Sequence, residues 1–129
     1  MQAANACCGG ECGVQRVDSL EELFDVGLAL ATLPAPGGNR VAVLTNAGGP
    51  AILATDALVT SGGKLAVLSP QTIEKLDRFL PATWSHGDPV DIIGDAPVAR
   101  YEGALATLID APEADAVLDD YPFALVVGM

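Results

Sequence analysis

Short apolar runs that alternate with amphipathic segments limit the fold of this chain more than any other feature. The first run, Val41–Thr45, is mainly apolar, as expected of a strand buried on both faces. Further strands are predicted at residues 65–68, 90–93 and 114–118, and residues 124–127 fit either a fifth strand or a frayed tail. The helices predicted between them imply right-handed βαβ units. We therefore expect a three-layer α/β/α sandwich, flavodoxin-like, around a parallel sheet.

The segment before the first strand predicts a separate lead-in. Ser19 and Glu22 have the spacing of a capping box, and an apolar stripe at helical spacing follows them. Prolines and glycines within residues 34–38 end this helix. We expect residues 1–38 to form a flexible tail and a lead-in helix, and residues 39–129 to form the flavodoxin-like domain.

Three cysteines, Cys7, Cys8 and Cys12, all lie in the predicted tail. Their odd number argues against a disulfide framework. Three clustered thiols would need a fourth ligand to hold zinc, and the one histidine, His86, is far away in the sequence. We expect an unpacked tail and no metal site. Reduced thiols and a start that does not resemble a signal peptide predict a cytoplasmic protein.

The charge of the chain excludes one class of partner. The chain has 129 residues with 6 basic and 17 acidic side chains, and its net charge of −11 repels a nucleic-acid backbone. Half of the residues are hydrophobic, which is enough for one core. No apolar run approaches the ~20 residues of a membrane span. We therefore expect neither nucleic acid nor a membrane as a partner.

The most informative segment follows the first predicted strand. Asn46, Ala47, Gly48, Gly49 and Pro50 connect that strand to a helix. Adjacent glycines let a backbone approach a ligand closely, and a helix start offers free N–H groups and a positive dipole end. Together these features suit a phosphate group. The alternative is a tight turn that needs glycine for its geometry alone, and the spacing fits neither the dinucleotide nor the P-loop pattern.

A second loop is expected at the same edge of the sheet, because ligands meet the carboxyl ends of parallel strands. It contains Gly94 and Asp95, and Asp95 would either repel an anion or cap the next helix. Asp91, in an apolar strand, is expected to hold a neighbouring loop by hydrogen bonds. His86 is interpreted as packing beside Trp84, and a general base or a phosphorylated residue is the alternative. No catalytic residue is assigned.

Two motifs carry a resemblance to a known family. Residues 39–50, NRVAVLTNAGGP, and residues 88–96, DPVDIIGDA, together with residues 54–58, resemble the NDP-forming acyl-CoA synthetases. That family includes ADP-forming acetate–CoA ligase, and succinyl-CoA synthetase is a relative. The resemblance extends over about residues 14–118 and points to the CoA-ligase domain, which corresponds to the C-terminal part of the succinyl-CoA synthetase β subunit. It implies that the segment from Asn46 to Pro50 supports a phosphorylated histidine carried by another domain.

The same resemblance implies a reaction and its partners. The family interconverts acyl-CoA, ADP and phosphate with acid, CoA and ATP, so CoA and ADP or ATP with magnesium belong to the complete enzyme. None of these cofactors is expected on this domain alone. The expected partners are ATP-grasp and CoA-binding domains or subunits, and a homodimer stays open. The family's Ser-His-Thr-Gly motif is missing and His86 does not match it, so this domain alone is not expected to be active.

Two other functions stay open from the sequence. One is a non-catalytic regulatory or interaction module of a synthetase-like protein acetyltransferase. A flanking acetyltransferase or ATP-grasp sequence would separate this function from that of a synthetase domain. The other is a free-standing flavodoxin-like domain that binds a small phosphorylated ligand, which titration with phosphate, CoA and ADP would test.

Overall fold

The computed structural model of the protein describes residues 17–119 and 124–127, so the three cysteines lie outside the described residues. The chain divides into two units, residues 1–33 and residues 34–129. In chain order the elements are α1 (Leu20–Thr32), β1 (Arg40–Thr45), α2 (Gly48–Thr60), β2 (Lys64–Leu65), α3 (Pro70–Asp77), β3 (Val90–Asp91), α4 (Val98–Ile109), β4 (Ala116–Asp119) and β5 (Ala124–Val127). None of the helices in the described ranges combines the length and the apolar character that a membrane span requires.

The predicted capping box starts α1 in the first unit. The Ser19 hydroxyl accepts a hydrogen bond from the Glu22 amide at 3.1 Å, and the Glu22 carboxylate accepts one from the Asp18 amide at 2.8 Å. These bonds satisfy donors that a helix start leaves without intrahelical partners. No residue of α1 is buried, so local hydrogen bonds rather than core packing define this helix. The predicted lead-in helix is confirmed.

In the second unit, β1 is the central strand of a sheet with the order β2-β1-β4-β5. β4 runs parallel to β1 over Val41–Leu44. The opposite edge of β1 is shared by two short strands, since β2 pairs with Arg40 and Val41 and β3 pairs with Leu44 and Thr45, both in parallel. The predicted parallel α/β sheet is therefore confirmed for β1 to β4.

Several predicted strands differ in detail from the structure. β3 contains only Val90 and Asp91 rather than residues 90–93, and β4 covers Ala116–Asp119 rather than residues 114–118. β5 is a strand rather than a frayed tail, and it pairs with β4 in the antiparallel direction. β2 contains only Lys64 and Leu65, whereas the apolar pattern predicts a strand over residues 65–68. Ala66 and Leu68 are nevertheless buried, because the chain enters the core where it leaves the strand. The apolar pattern therefore reports burial here rather than the length of the strand.

The main core lies between one face of the sheet and helices α3 and α4. Ala42 and Leu44 of β1 are fully buried there with Leu76 of α3 and Leu108 of α4. Val43 is buried outside this cluster, on the other face, as the alternation of side chains along a strand requires. Helix α2 contacts β1 and β2 on that face. The layers are thus α3 with α4, the sheet, and α2, which is the predicted three-layer arrangement.

An ion pair fixes the start of β1. The Arg40 guanidinium donates to Asp115 at 3.0 and 2.7 Å, and the Arg40 amide donates to the same carboxylate at 2.9 Å. These hydrogen bonds from Arg40 lower the pKa of Asp115. A Cβ at Gly38 would lie 2.5 Å from an Asp115 oxygen, so a larger residue there would displace the carboxylate that Arg40 holds.

The Asp88 side chain forms hydrogen bonds with the backbone between the two short strands that share one edge of β1. One carboxylate oxygen accepts the Val43 amide at 2.8 Å, and the other accepts the Ala66 amide at 3.0 Å. Burial raises the pKa of Asp88 to about 7, and the two amide donors oppose this shift without cancelling it. Between the ordinary pKa of 3.8 and about 7, the folded state therefore holds a proton on Asp88 that the unfolded chain releases.

We expect the free energy of unfolding to fall as the pH rises from about 5 to about 7. The folded state binds more protons than the unfolded state in this window, and each pH unit removes up to about 1.4 kcal/mol. Urea unfolding across this window measures the effect. Asp88→Asn should be less stable, because its NH₂ group cannot accept an amide hydrogen bond, and it should lose this fall with pH. A pH dependence that is unchanged in Asp88→Asn would contradict the assignment.

Candidate functional site

Parallel pairing of β1 with β3 brings the two predicted loops together. Thr45, the last residue of β1, is in register with Asp91, the last residue of β3. Beyond these strands, a Cβ at Gly94 would lie 3.6 Å from the Asn46 carbonyl oxygen. A Cβ at Gly48 would lie 3.8 Å from an Asp91 carboxylate oxygen. Both predicted loops therefore lie side by side at the carboxyl edge of the sheet.

The last side chain of β1 holds the turn that leads into α2. Thr45 is fully buried, and its hydroxyl accepts the Ala47 amide at 2.9 Å and donates to the Ala47 carbonyl at 2.8 Å. A hydroxyl can make both bonds because it is at once a donor and an acceptor. The chain itself therefore fixes the backbone at the entrance to the helix.

Helix α2 begins without a side-chain cap. Its N-cap residue is Ala47, which makes no side-chain hydrogen bond, whereas the Ser19 and Ser69 hydroxyls cap α1 and α3. The amides of Gly48 and Gly49 lack intrahelical acceptors by their position, and neither donates a backbone hydrogen bond elsewhere within residues 17–119 and 124–127. The first turn of α2 therefore presents two bare N–H groups and the positive end of the helix dipole.

The geometry of the turn does not require glycine at these positions. Gly48 and Gly49 are exposed, and neither has a positive φ, in contrast to Gly62. A Cβ at Gly49 would meet nothing within 4 Å, and one at Gly48 would meet the Asp91 carboxylate at an ordinary van der Waals distance. Neither backbone conformation nor a neighbouring atom therefore requires glycine at these two positions. The missing side chains leave the first-turn amides open to approach.

Hydrogen bonds hold the second loop, which contains a strained residue. The Asp91 amide donates to the Ser85 hydroxyl at 3.0 Å, and Asp91 Oδ1 accepts the Ile93 amide at 2.9 Å. Asp91 thus holds the residues that follow it, as expected. Ile93 has a φ of 70°, which a β-branched residue rarely adopts and which costs on the order of 1–3 kcal/mol. The surrounding hydrogen bonds keep the backbone in this conformation.

Asp95 does not cap α4, contrary to one expectation. Its carboxylate pairs with Arg100 at 2.9 Å. Helix α4 starts at Val98 after Pro97, whose side chain makes no capping bond. Arg100 also donates to the Ile92 carbonyl at 3.2 Å. Asp95 therefore belongs to an ion pair that joins the second loop to the first turn of α4.

His86 packs beside Trp84, as expected. Their ring centroids are 4.7 Å apart, and Trp84 is buried. Asp77 accepts a hydrogen bond from the Trp84 indole at 2.7 Å and lies 3.1 Å from His86 Nδ1. His86 Nε2 lies 3.2 Å from the Ala82 carbonyl oxygen. Both ring nitrogens of His86 thus have partners in the surrounding structure, which supports a packing role.

The structure also contains a cavity that the sequence does not indicate. It has a volume of about 400 Å³ and lies beside α4 at the carboxyl edge of the sheet. Its walls are formed by Asn46, Ala96, Val98, Tyr101, Glu102, Leu105 and Asp119. The apolar stripe of α4 predicts Val98 and Leu105 as inward-facing residues, but Val98 is 73% exposed and Leu105 is half-buried. The inward-facing position predicted for Val98 is therefore wrong, and the stripe did not indicate a cavity.

A parallel sheet flanked by helices, with a glycine-rich and uncapped helix start at its carboxyl edge, defines an α/β domain of the class whose ligands meet the carboxyl ends of the strands. The model of the Ligase-CoA domain family matches residues 41–128. The chain belongs to this family, and the resemblance to the acyl-CoA synthetases is confirmed.

Curated relatives of the chain are ADP-forming ligases. The chain is 42% identical over 106 residues to ADP-forming acetate–CoA ligase I of Archaeoglobus fulgidus. It is 37% identical over 106 residues to the ADP-forming 4-hydroxybutyrate–CoA ligase of Nitrosopumilus maritimus. Each match covers 82% of this chain and 15% of the relative. The chain therefore spans about one sixth of the length of these relatives.

Solved structures share the fold. A crystal structure of a Pyrococcus horikoshii protein matches with a TM-score of 0.79 at 37% identity, over 83% of this chain and 24% of that chain. The acetyl-coenzyme A synthetase 1 of Ca. Korarchaeum cryptofilum, in complex with phosphate and ADP, matches with a TM-score of 0.77 at 33% identity, over 83% and 23%. The expected α/β fold is therefore also that of these proteins.

Because Gly49 has open space around it, we expect Gly49→Ala to raise the free energy of unfolding by about 0.4–1 kcal/mol. Alanine restricts the unfolded chain and favours the helix, and its methyl group meets nothing. Urea unfolding measures the change. Gly38→Ala is the contrasting control and should destabilise, since its Cβ would approach Asp115 to 2.5 Å. Loss of stability in Gly49→Ala would show that the first turn of α2 is packed rather than open.

Proposed function

We propose that the chain is the CoA-ligase domain of an ADP-forming acyl-CoA synthetase, which converts acyl-CoA, ADP and phosphate reversibly into the acid, CoA and ATP. In this function the start of α2 stabilises a phosphohistidine that another domain carries. The observation that carries the proposal is the uncapped first turn of α2, in a chain whose relatives are ADP-forming acid–CoA ligases. The Korarchaeum structure, solved with phosphate and ADP, supports the same chemistry.

The first turn of α2 is suited to phosphoryl oxygens. The amides of Gly48 and Gly49 offer hydrogen bonds, and the helix dipole adds about 0.3–1 kcal/mol at a surface and up to ~2 kcal/mol in a partly buried site. Pro50 continues the turn and has no N–H of its own to satisfy. Asn46 and Ala47 bring the chain into the helix. We assign the phosphohistidine-binding role to these five residues, whose groups are in place before the phosphoryl group arrives.

The net charge of −11 does not prevent this role. Exposed charges more than ~8–10 Å away are largely screened at physiological salt. Asp91 lies beside Gly48, and one of its oxygens already accepts the Ile93 amide. Because a carboxylate repels a phosphoryl group, approach from the open side of Gly49 is the more favourable.

The second loop has a supporting role at the same site. Gly94 has no side chain to cover the Asn46 carbonyl. The negative charge of Asp95 is offset by Arg100 at 2.9 Å. The loop thus adds little side-chain bulk at the entrance, and Arg100 offsets the charge of Asp95 there.

Other domains or subunits supply the rest of the reaction. His86 is the one histidine of the chain, and Asp77, Ala82 and Trp84 hold its ring in place. We therefore assign the phosphorylated histidine, the nucleotide with magnesium, and CoA to the ATP-grasp and CoA-binding parts of the complete enzyme. This domain contributes electrostatic stabilisation of the transferring group rather than a nucleophile.

The test uses a complete synthetase. Residues 17–119 replace the matching segment of the Archaeoglobus fulgidus acetate–CoA ligase I, and phosphoenzyme is measured after incubation with radiolabelled ATP. Gly49→Val in this chimera should lower the phosphoenzyme level about tenfold, because about 1.4 kcal/mol is within the range of a helix-start interaction. The domain should stay folded, since a Cβ at Gly49 meets nothing within 4 Å.

Gly27→Val in α1 is the matched control, because a Cβ at Gly27 also meets nothing within 4 Å. It should leave the phosphoenzyme level unchanged, and circular dichroism checks that both chimeras are folded. Equal phosphoenzyme levels in folded Gly49→Val and Gly27→Val chimeras would remove the basis of the proposal.

A further inference from the structure

The terminal strand β5 leaves one edge of the sheet open to pairing. β5 pairs with β4 on one side, and in the order β2-β1-β4-β5 it is the last strand of the sheet. No other strand among the described residues pairs with its second side. The backbone N–H and C=O groups of β5 that point away from β4 can therefore pair with a further strand.

The opposite edge of the sheet is protected against such pairing. It consists of β2 and β3, which have two residues each, and strands this short offer little to a further strand. β2 contains Lys64, a residue type that protects sheet edges in many proteins. The Val43 amide of β1 already donates to Asp88 at 2.8 Å. Within the described part of the sheet, β5 is thus the strand that is open to extension.

The sequence around β5 is free of charge. Residues 121–129 contain no lysine, arginine, aspartate or glutamate, so the net charge of −11 comes from the rest of the chain. Two copies of such a chain repel each other at long range, and a neutral segment opposes their approach least. A charged strand that pairs with itself would also place like charges close together. The composition of β5 therefore suits an identical strand as its partner.

We propose that β5 pairs with β5 of a second copy of this chain in the antiparallel direction, so that two five-stranded sheets form one continuous sheet. The contact is isologous, because a two-fold axis relates the copies and each edge satisfies the other. The outer edges of the joined sheet are the protected edges of β2 and β3, so association stops at the dimer. A strand from another protein would leave its own second edge open. The inference does not depend on the proposed function.

The symmetry of this contact limits its register. A two-fold axis perpendicular to the sheet keeps each face of the sheet on the same side, so a residue pairs with itself or with one an even number of positions away. For the four residues of β5, the registers with the most pairs are centred on Leu125 or Val126. In either register, the two copies of Leu125 are opposite or diagonal neighbours. Charges introduced at this position therefore interact across the contact.

Sedimentation equilibrium of the 129-residue chain at increasing concentrations tests the inference, with added salt to screen the net charge. The chain should form a dimer as its concentration rises. Leu125→Lys and Leu125→Glu should each raise the dissociation constant of the dimer about fivefold, because like charges then meet at the contact. An equal mixture of the two variants should restore the wild-type value, since the introduced charges have opposite signs.

Leu53→Lys in α2 is the matched control. Leu53 is 72% exposed, so the substitution makes the same change in charge at another apolar position of the surface. It should leave the dissociation constant unchanged. If Leu53→Lys weakens the dimer and Leu125→Lys does not, the copies associate through α2 and the inference is wrong.

Hydrogen exchange of the wild-type chain gives a second measurement that needs no variant. The β5 amides that point away from β4 should exchange more slowly in the dimer than in the monomer. A chain that stays monomeric at every concentration, or a dimer in which exchange at β5 is unchanged, would overturn the inference. So would a mixture of folded Leu125→Lys and Leu125→Glu chains that dimerises no better than either variant alone.

Discussion

The shared edge of β1 is the constraint on which the rest of the structure depends. Two strands of two residues each occupy this edge, and strands so short give little pairing of their own. Asp88 joins them, because its carboxylate accepts one amide from β1 and one from the residue that follows β2. β3 is thereby held in register, and Asp91 at its end reaches the start of α2. The Asp88 carboxylate therefore supports the candidate site together with the pairing of β3 and the hydrogen bond from the Ile92 amide to the Thr45 carbonyl at 2.8 Å.

At the carboxyl edge of the sheet, two local features lower the stability of the fold. This chain caps two other helices with serine, and alanine at an N-cap costs about 0.5–2 kcal/mol relative to such a residue. α2 nevertheless starts after Ala47. Ile93, in the adjacent loop, adds backbone strain of a similar order. Protein sequences use locally unfavourable residues or backbone conformations mainly at functional sites. The uncapped start of α2 and the strained Ile93 both lie at the carboxyl edge of the sheet. This pattern supports a binding role for the edge.

Features set by neighbouring residues were predictable from the sequence, whereas features set by distant contacts were not. The buried strand β1, the helix start that follows it and the packing of His86 beside Trp84 all follow from adjacent residues. The bridge made by Asp88 was not predicted, because its partners Val43 and Ala66 lie 45 and 22 residues away. The glycine-rich turn between β1 and α2 could be predicted because its residues are consecutive in the sequence. The cavity beside it was not, because its walls come from several elements that only the fold brings together.

Rising pH acts on the proposed site in two opposite ways. Backbone amides do not titrate in this range, so the helix start keeps its strength, while a phosphoryl group that loses its second proton gains charge and binds more tightly. Burial raises the pKa of Asp88 to about 7, so the same rise removes the proton that favours the fold at the shared edge. The charge on the ligand therefore increases over the same pH range in which the free energy of unfolding falls.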